Sequence, residues 1–186
     1  MDNFIYIKFT FVVILLGLFA QLHCATTDEE NVAKVKELLK GYPLDSSRIV
    51  LDNNGIEYIG PFWFSNFTKL KFLHLRYNAI RSIHKDAFYG LNNLTHLYLS
   101  FNELKEVPNL YGLNLENAYF YYNMIDLKRG DFNNVKIRDL RLYENRITDM
   151  LALIDLSKSL KKLQIRSNSL NKTSPADLMT LFESLT

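Results

Sequence analysis

A nine-residue phrase ending in asparagine returns six times along this chain, closing on Asn54, Asn78, Asn102, Asn123, Asn145 and Asn168. The second copy runs Leu70, Leu73, Leu75, Asn78, with Ile80 beyond it. The third runs Leu94, Leu97, Leu99, Asn102, Leu104, and the fifth Ile137, Leu140, Leu142, Asn145, Ile147. Starts at 46, 70, 94, 115, 137 and 160 give spacings of 24, 24, 21, 22 and 23 residues. Six copies in phase at such a period describe turns that each bury an apolar face only by stacking on the next. Two copies depart from the pattern. Ser46 stands where a leucine is expected, and Ala118 and Phe120 replace the paired leucines of the fourth copy in a swap that conserves volume.

Alternation along a strand turns both leucines of each L-x-L inward and the residues between them outward. The asparagine follows where the chain bends, and its amide offers donors and an acceptor to backbone groups buried in that bend. Return paths differ among copies. Ile59, Phe64 and Phe67 in the first copy match Ile83, Phe88 and Leu91 in the second as aromatic-anchored loops. The short third copy carries Pro108, which predicts an extended outer segment. Met150, Leu151, Leu153, Ile154 and Leu156 predict a helical turn in the fifth.

Over residues 46–172 the chain resembles the leucine-rich repeat family in its extracellular typical subtype, as a short secreted form without cysteine caps. The resemblance implies an α/β solenoid: a right-handed superhelix with a parallel sheet on its concave face. Its open sheet edges need covering. Thr27 and Glu30 form a capping-box pattern ahead of an apolar stripe of Val32, Val35, Leu38 and Leu39, which Gly41 and Pro43 end. Ser174 and Pro175 start a second segment with Leu178, Leu181, Phe182 and Leu185 on one face. Both read as helical caps, over residues 25–45 and 173–186, with a partner-binding helix as the rival reading of either.

Residues 1–24 read as a secretory signal peptide: Lys8, an apolar core from Phe9 to Ala20, and a small-residue region at Cys24 and Ala25. An uncleaved anchor is the alternative, against which the apolar core is short for a span of roughly 20 residues. Cys24 is the only cysteine, so cleavage there predicts a secreted chain without disulfides. Asn66, Asn93 and Asn171 begin N-x-Thr sequons and are the expected glycosylation sites. With 22 basic and 20 acidic residues and no basic stripe, the composition argues against a nucleic-acid partner.

Positions two, four, six and seven after each start face outward, and they gather aromatics in the middle copies. Phe72, His74, Arg76, His96, Tyr98, Tyr119, Tyr121, Arg141, Tyr143 and Arg166 are the candidate partner-binding residues, flanked by Asp139 and Glu144. Tyrosine presents a rigid ring and a hydroxyl at little entropic cost, and arginine and tyrosine dominate binding hot spots. Tyr77, Phe101 and Tyr122 form a rim row that stacking alone could explain. Ser100 is expected on the same outward face. His74 and His96 lie two residues out of register on adjacent strands, roughly 7–8 Å apart, too far to share a metal without a third ligand. No nucleophile elbow, phosphate loop, zinc spacing or cofactor motif occurs, so the chain reads as a non-enzyme without metal or cofactor. The leading expectation is a secreted module that binds a protein partner on its concave face. Innate-immune recognition, receptor binding and effector delivery are the roles the resemblance implies. The alternative is a matrix or self-dimerising protein.

Overall fold

The computed structural model describes residues 29–176 and 179. The signal segment, Thr27 of the capping box, and Leu178, Leu181, Phe182 and Leu185 of the second cap lie outside the described residues.

Each repeat contributes one short strand to a single parallel sheet. The strands are β1 (Arg48–Val50), β3 (Phe72–His74), β5 (His96–Tyr98), β6 (Asn114–Tyr119), β7 (Lys136–Arg141) and β8 (Lys162–Gln164), adjacent in that order. Register follows the repeat: Leu73 pairs with Leu97, Leu97 with Ala118, Ala118 with Leu140 and Leu140 with Leu163. The inward pairs of the first five repeats are sealed, while Leu163 and Ile165 of the last are partly buried. Ile49, Leu73, Leu75, Leu97, Leu99, Ala118, Phe120, Leu140 and Leu142 are all fully buried, so the Ala118/Phe120 swap keeps the core intact. Burial of each leucine stabilises the stack by about 1.5–3 kcal/mol.

The outer arc closes the same core. A two-stranded parallel sheet joins β2 (Tyr58–Ile59) to β4 (Ser82–Ile83) behind the first two repeats. Phe64, Phe67, Phe88 and Leu91 are buried behind them, and Phe132 anchors the fourth arc in the same way. The arc of the third repeat has no helix on either side of Pro108, as its extended segment predicts. Leu151–Leu156 forms a 3-10 helix in the fifth, burying Ala152, Leu153 and Leu156.

The asparagines form a ladder between turns. Asn102 accepts from the Ile80 N–H at 3.0 Å and donates to the Leu75 and Leu99 carbonyls at 2.9 and 3.0 Å. Asn123, Asn145 and Asn168 repeat this with Leu104, Ile125 and Ile147. Asn78 accepts from both Asn54 and Ile56. Asn54, with no turn before it, donates only to the Asp52 carbonyl of its own bend. The residue before each ladder asparagine is left-handed: Asn53, Tyr77, Phe101, Tyr122, Glu144 and Ser167 have φ between 54° and 59°. In a side-chain-bearing residue this costs roughly 1–2 kcal/mol. It turns the chain while keeping each N–H in the ladder, as where Tyr77 donates to the Ser100 carbonyl at 3.1 Å.

Residues 29–40 are helical and cap the first turn. Val35 is buried, while Leu38 and Leu39 pack partly buried against the core. Asn31, also buried, donates to the Tyr58 carbonyl at 2.9 Å and accepts from the Glu57 N–H at 2.8 Å, taking the place of a strand beside β2. Tyr42 closes β1 similarly. Its hydroxyl donates to the Val50 carbonyl at 2.7 Å and accepts the Val50 N–H at 3.0 Å.

Candidate partner-binding face

Strand register sets the concave side chains in rows that cross the sheet. The row four residues after each start holds His74, Tyr98, Tyr119 and Arg141; the strand spacing of about 4.8 Å leaves rings there in contact. Ring centroids lie 4.6 Å apart for His74 and Tyr98, and 5.1 Å for Tyr98 and Tyr119. The row six residues after each start stacks Tyr121 on Tyr143 at 4.4 Å. Phe72 and His96 meet at 4.3 Å in the row nearest the strand starts. The rim row is stacked throughout, with Phe101 at 4.5 Å from Tyr77 and 4.6 Å from Tyr122. Tyr77 and Tyr122 still expose nearly half their surface, at 48% and 44%.

Arginines lie over these rings. Arg141 stands 4.1 Å above Tyr119, Arg48 4.4 Å above Phe72, Arg166 5.1 Å above Tyr143 and Arg76 5.6 Å above Tyr98. Each guanidinium is drawn to the negative face of its ring. Two are also fixed by carboxylates. Arg76 holds Asp52 at 2.8 and 3.1 Å, and Asp52 accepts the Arg76 backbone N–H at 2.7 Å. Arg141 holds Asp139 at 3.1 and 3.3 Å. The Tyr119 hydroxyl accepts from the Asn117 amide at 2.6 Å and donates to Asp139 at 3.4 Å.

Burial raises the Tyr98 and Tyr119 phenols, reinforced by each one's neighbours, Tyr119 beside the former and Asp139 beside the latter. Burial likewise raises Tyr143, with Tyr121 adding to it. Burial lowers His74, and the Arg76, Arg48 and His96 charges add to that against Asp52. His96 is lowered by burial and by Arg48, against the pull of Glu116. The face is therefore built of neutral rings and imidazoles held by charged pairs.

The structure brings all ten candidate residues onto this sheet face. It corrects the outward row in one place: Ser100 is fully buried, its hydroxyl donating to the Tyr119 carbonyl at 3.2 Å. His74 and Asp139 point outward yet are covered, His74 by Arg48, Arg76 and Tyr98 and Asp139 by Arg141 and Tyr119. Sequence reasoning missed the arginine–ring pairs. Three of them join residues of one row in adjacent copies, so the repeat register held the signal. Asn66, Asn93 and Asn171 are exposed and lie off the sheet, and the Asn93 amide donates to the Thr68 carbonyl at 2.8 Å.

A groove of about 790 Å³ lies elsewhere, along the strand starts between Gly112, Lys136 and Lys161. It is lined by charges of both signs and shares none of the ring rows. Among the described residues no group of three or more histidines, cysteines or carboxylates could hold a metal, and no helix is long and apolar enough to cross a membrane.

Residues 47–104 match the family model for leucine-rich repeats. With the ladder, the register and the sealed leucine pairs, that match decides the family. The chain belongs to the leucine-rich repeat proteins. Curated relatives include human lumican, 32% identical over 138 residues, and bovine keratocan, 34% identical over 157. Human prolargin is 31% identical over 151 residues. These alignments take in 69%, 77% and 77% of this leucine-rich repeat chain but only 40%, 45% and 36% of the relatives. The chain thus spans less than half the length of the proteins it matches. Lumican, keratocan and prolargin are secreted extracellular matrix proteins, and this leucine-rich repeat chain is likewise extracellular.

Proposed function

We propose that the chain is a non-catalytic binding module of the extracellular matrix type, which holds a protein partner on its concave ring face. The single observation that carries this is the continuous run of contacts from His74 through Tyr98 and Tyr119 to Arg141, bordered by the Tyr121–Tyr143 stack. A rigid aromatic floor set in arginines is the composition of a binding hot spot. Six strands span roughly 24 Å, enough for a partner footprint of about 800 Å². Kinship with lumican, keratocan and prolargin favours a matrix role over the innate-immune and effector roles. Glycans on Asn66, Asn93 and Asn171 would leave the ring face open.

Capture from extracellular matrix extract tests the proposal, comparing the wild type with a Tyr98→Ala/Tyr119→Ala/Tyr121→Ala variant. Loss of the captured proteins in the variant is the expected result; identical capture by both refutes it. Self-pairing of two ring faces is the second reading, favoured by the half-exposed rings of Tyr77 and Tyr122. Light scattering distinguishes the two, because a dimer broken by Tyr119→Ala requires self-pairing.

A further inference from the structure

The concave face carries its unpaired positive charge at the two ends of the sheet, with an internally neutralised floor between them. Its cations are Arg48, Arg76, Arg141, Lys162 and Arg166, and its carboxylates Asp52, Asp139 and Glu144. Asp52 is used by Arg76 and Asp139 by Arg141, so the middle of the face is internally neutralised. Among the described residues Arg48, Lys162 and Arg166 form no ion pair. Arg48 lies on β1 at one end of the sheet. Its guanidinium rests on Phe72 and touches the His74 imidazole at 3.1 Å. Lys162 and Arg166 lie on and just beyond β8 at the other end, with Arg166 over Tyr143. All three are exposed. Of the three carboxylates on this face, Glu144 alone forms no ion pair among the described residues, and it sits in the rim row rather than between them.

Resting on the concave-face reading above, we propose that the partner segment is an extended acidic-ended peptide lying across the strands. One carboxylate meets Arg48, another meets Lys162 and Arg166, and apolar or aromatic side chains between them cover Tyr98, Tyr119 and Tyr121. The geometry sets the spacing. The five strand intervals from β1 to β8 measure about 24 Å, and an extended chain advances about 3.3 Å per residue, so the acidic ends stand about seven residues apart. Guanidinium–carboxylate pairing at each end is directional and bidentate. A sulfated glycan fits less well. Its charges repeat at every unit and would lie on the neutral ring floor beside Asp139, where no cation is free to meet them.

The test is selection of a displayed library of random twelve-residue peptides on the secreted chain, with counter-selection against the Tyr98→Ala/Tyr119→Ala variant. The expected ring-dependent binders carry Asp or Glu at two positions about seven residues apart. They should lose at least tenfold in affinity against an Arg48→Glu/Arg166→Glu variant of unchanged thermal stability. Ring-dependent binders without acidic ends overturn this inference while the concave-face reading stands. Binders indifferent to the tyrosines overturn both. A heparin-type oligosaccharide that binds through Arg48 and Arg166, where no acidic peptide is selected, replaces the peptide with a glycan and also overturns the inference.

Discussion

The Arg141 guanidinium stands 4.1 Å above the Tyr119 ring while it grips Asp139, and Asp139 in turn accepts the Tyr119 hydroxyl at 3.4 Å. Three side chains thereby fix one another at the centre of the ring face. Their coupling is measurable. A double-mutant cycle of Arg141→Ala and Tyr119→Leu, read by urea denaturation, should return a coupling of about 0.5–1 kcal/mol. Strict additivity would mean that the ring and the guanidinium are merely adjacent.

The ladder makes a sharper prediction at Asn102. Replacing it with alanine strands the buried Ile80 N–H and takes one amide donor from each of the Leu75 and Leu99 carbonyls, which keep those of Asn78 and Asn123. The unsatisfied N–H costs about 1–3 kcal/mol and each of the two lost hydrogen bonds about 0.5–1.5 kcal/mol, so Asn102→Ala should lose roughly 2–6 kcal/mol. Asn54→Ala, which gives up a single donation to the Asp52 carbonyl, should lose about 1 kcal/mol. Equal losses would show that the ladder is not what the asparagines supply.

Left-handed backbone predicts opposite outcomes at two equivalent positions. Ser167 has φ 54°, is exposed and stacks on no ring, so Ser167→Gly should stabilise by about 1 kcal/mol. Phe101 has φ 58° but stacks on Tyr77 and Tyr122. There Phe101→Gly should destabilise, because the lost ring contacts and burial outweigh the relieved strain. Thermal unfolding of the two variants reads both signs.

Acid should weaken the fold through His74 and His96. Both have folded values below the ordinary imidazole value of 6.5, so the unfolded chain takes up protons first as the pH falls. Their contribution is complete above 6.5 and is lost as the pH drops through the folded values. Urea midpoints for the wild type should therefore fall between about pH 7 and pH 5. A His74→Gln/His96→Gln variant should be flatter over that window, and an unchanged slope would remove the histidines as the cause.

The solenoid was legible because its signal repeats. Leu73, Leu97 and Leu140 announce one inward row, and a shift of one residue would have turned Tyr98 inward and exposed Leu99. Leu99 is instead fully buried, and Tyr98 keeps contact with both neighbouring rings. Pro108 and the Leu151–Leu156 turn were also readable, since a missing donor and a local apolar run act within one copy. Ser100 was misread because a place in the strand alternation is not exposure: its small hydroxyl reaches back to the Tyr119 carbonyl and is fully buried.

Less was legible at the bends and ends. Nothing in Tyr77, Phe101 or Tyr122 advertises a left-handed backbone, since ring residues ordinarily avoid it. The constraint comes from the ladder asparagine that follows. Asn31 and Tyr42 were equally silent. Each matters through two hydrogen bonds at a strand edge, across 26 and 27 residues of sequence for Asn31 and 8 for Tyr42, and neither belongs to the repeat.

The Tyr42 hydroxyl occupies the hydrogen-bonding place at Val50 that another chain's backbone would otherwise take. A parallel ladder left open there is a template, and what it templates best is a further copy of the same turn. Tyr42→Phe would then be felt less as unfolding than as growth, with molecules adding end to end into fibres. One phenol at the first strand marks where the solenoid stops counting.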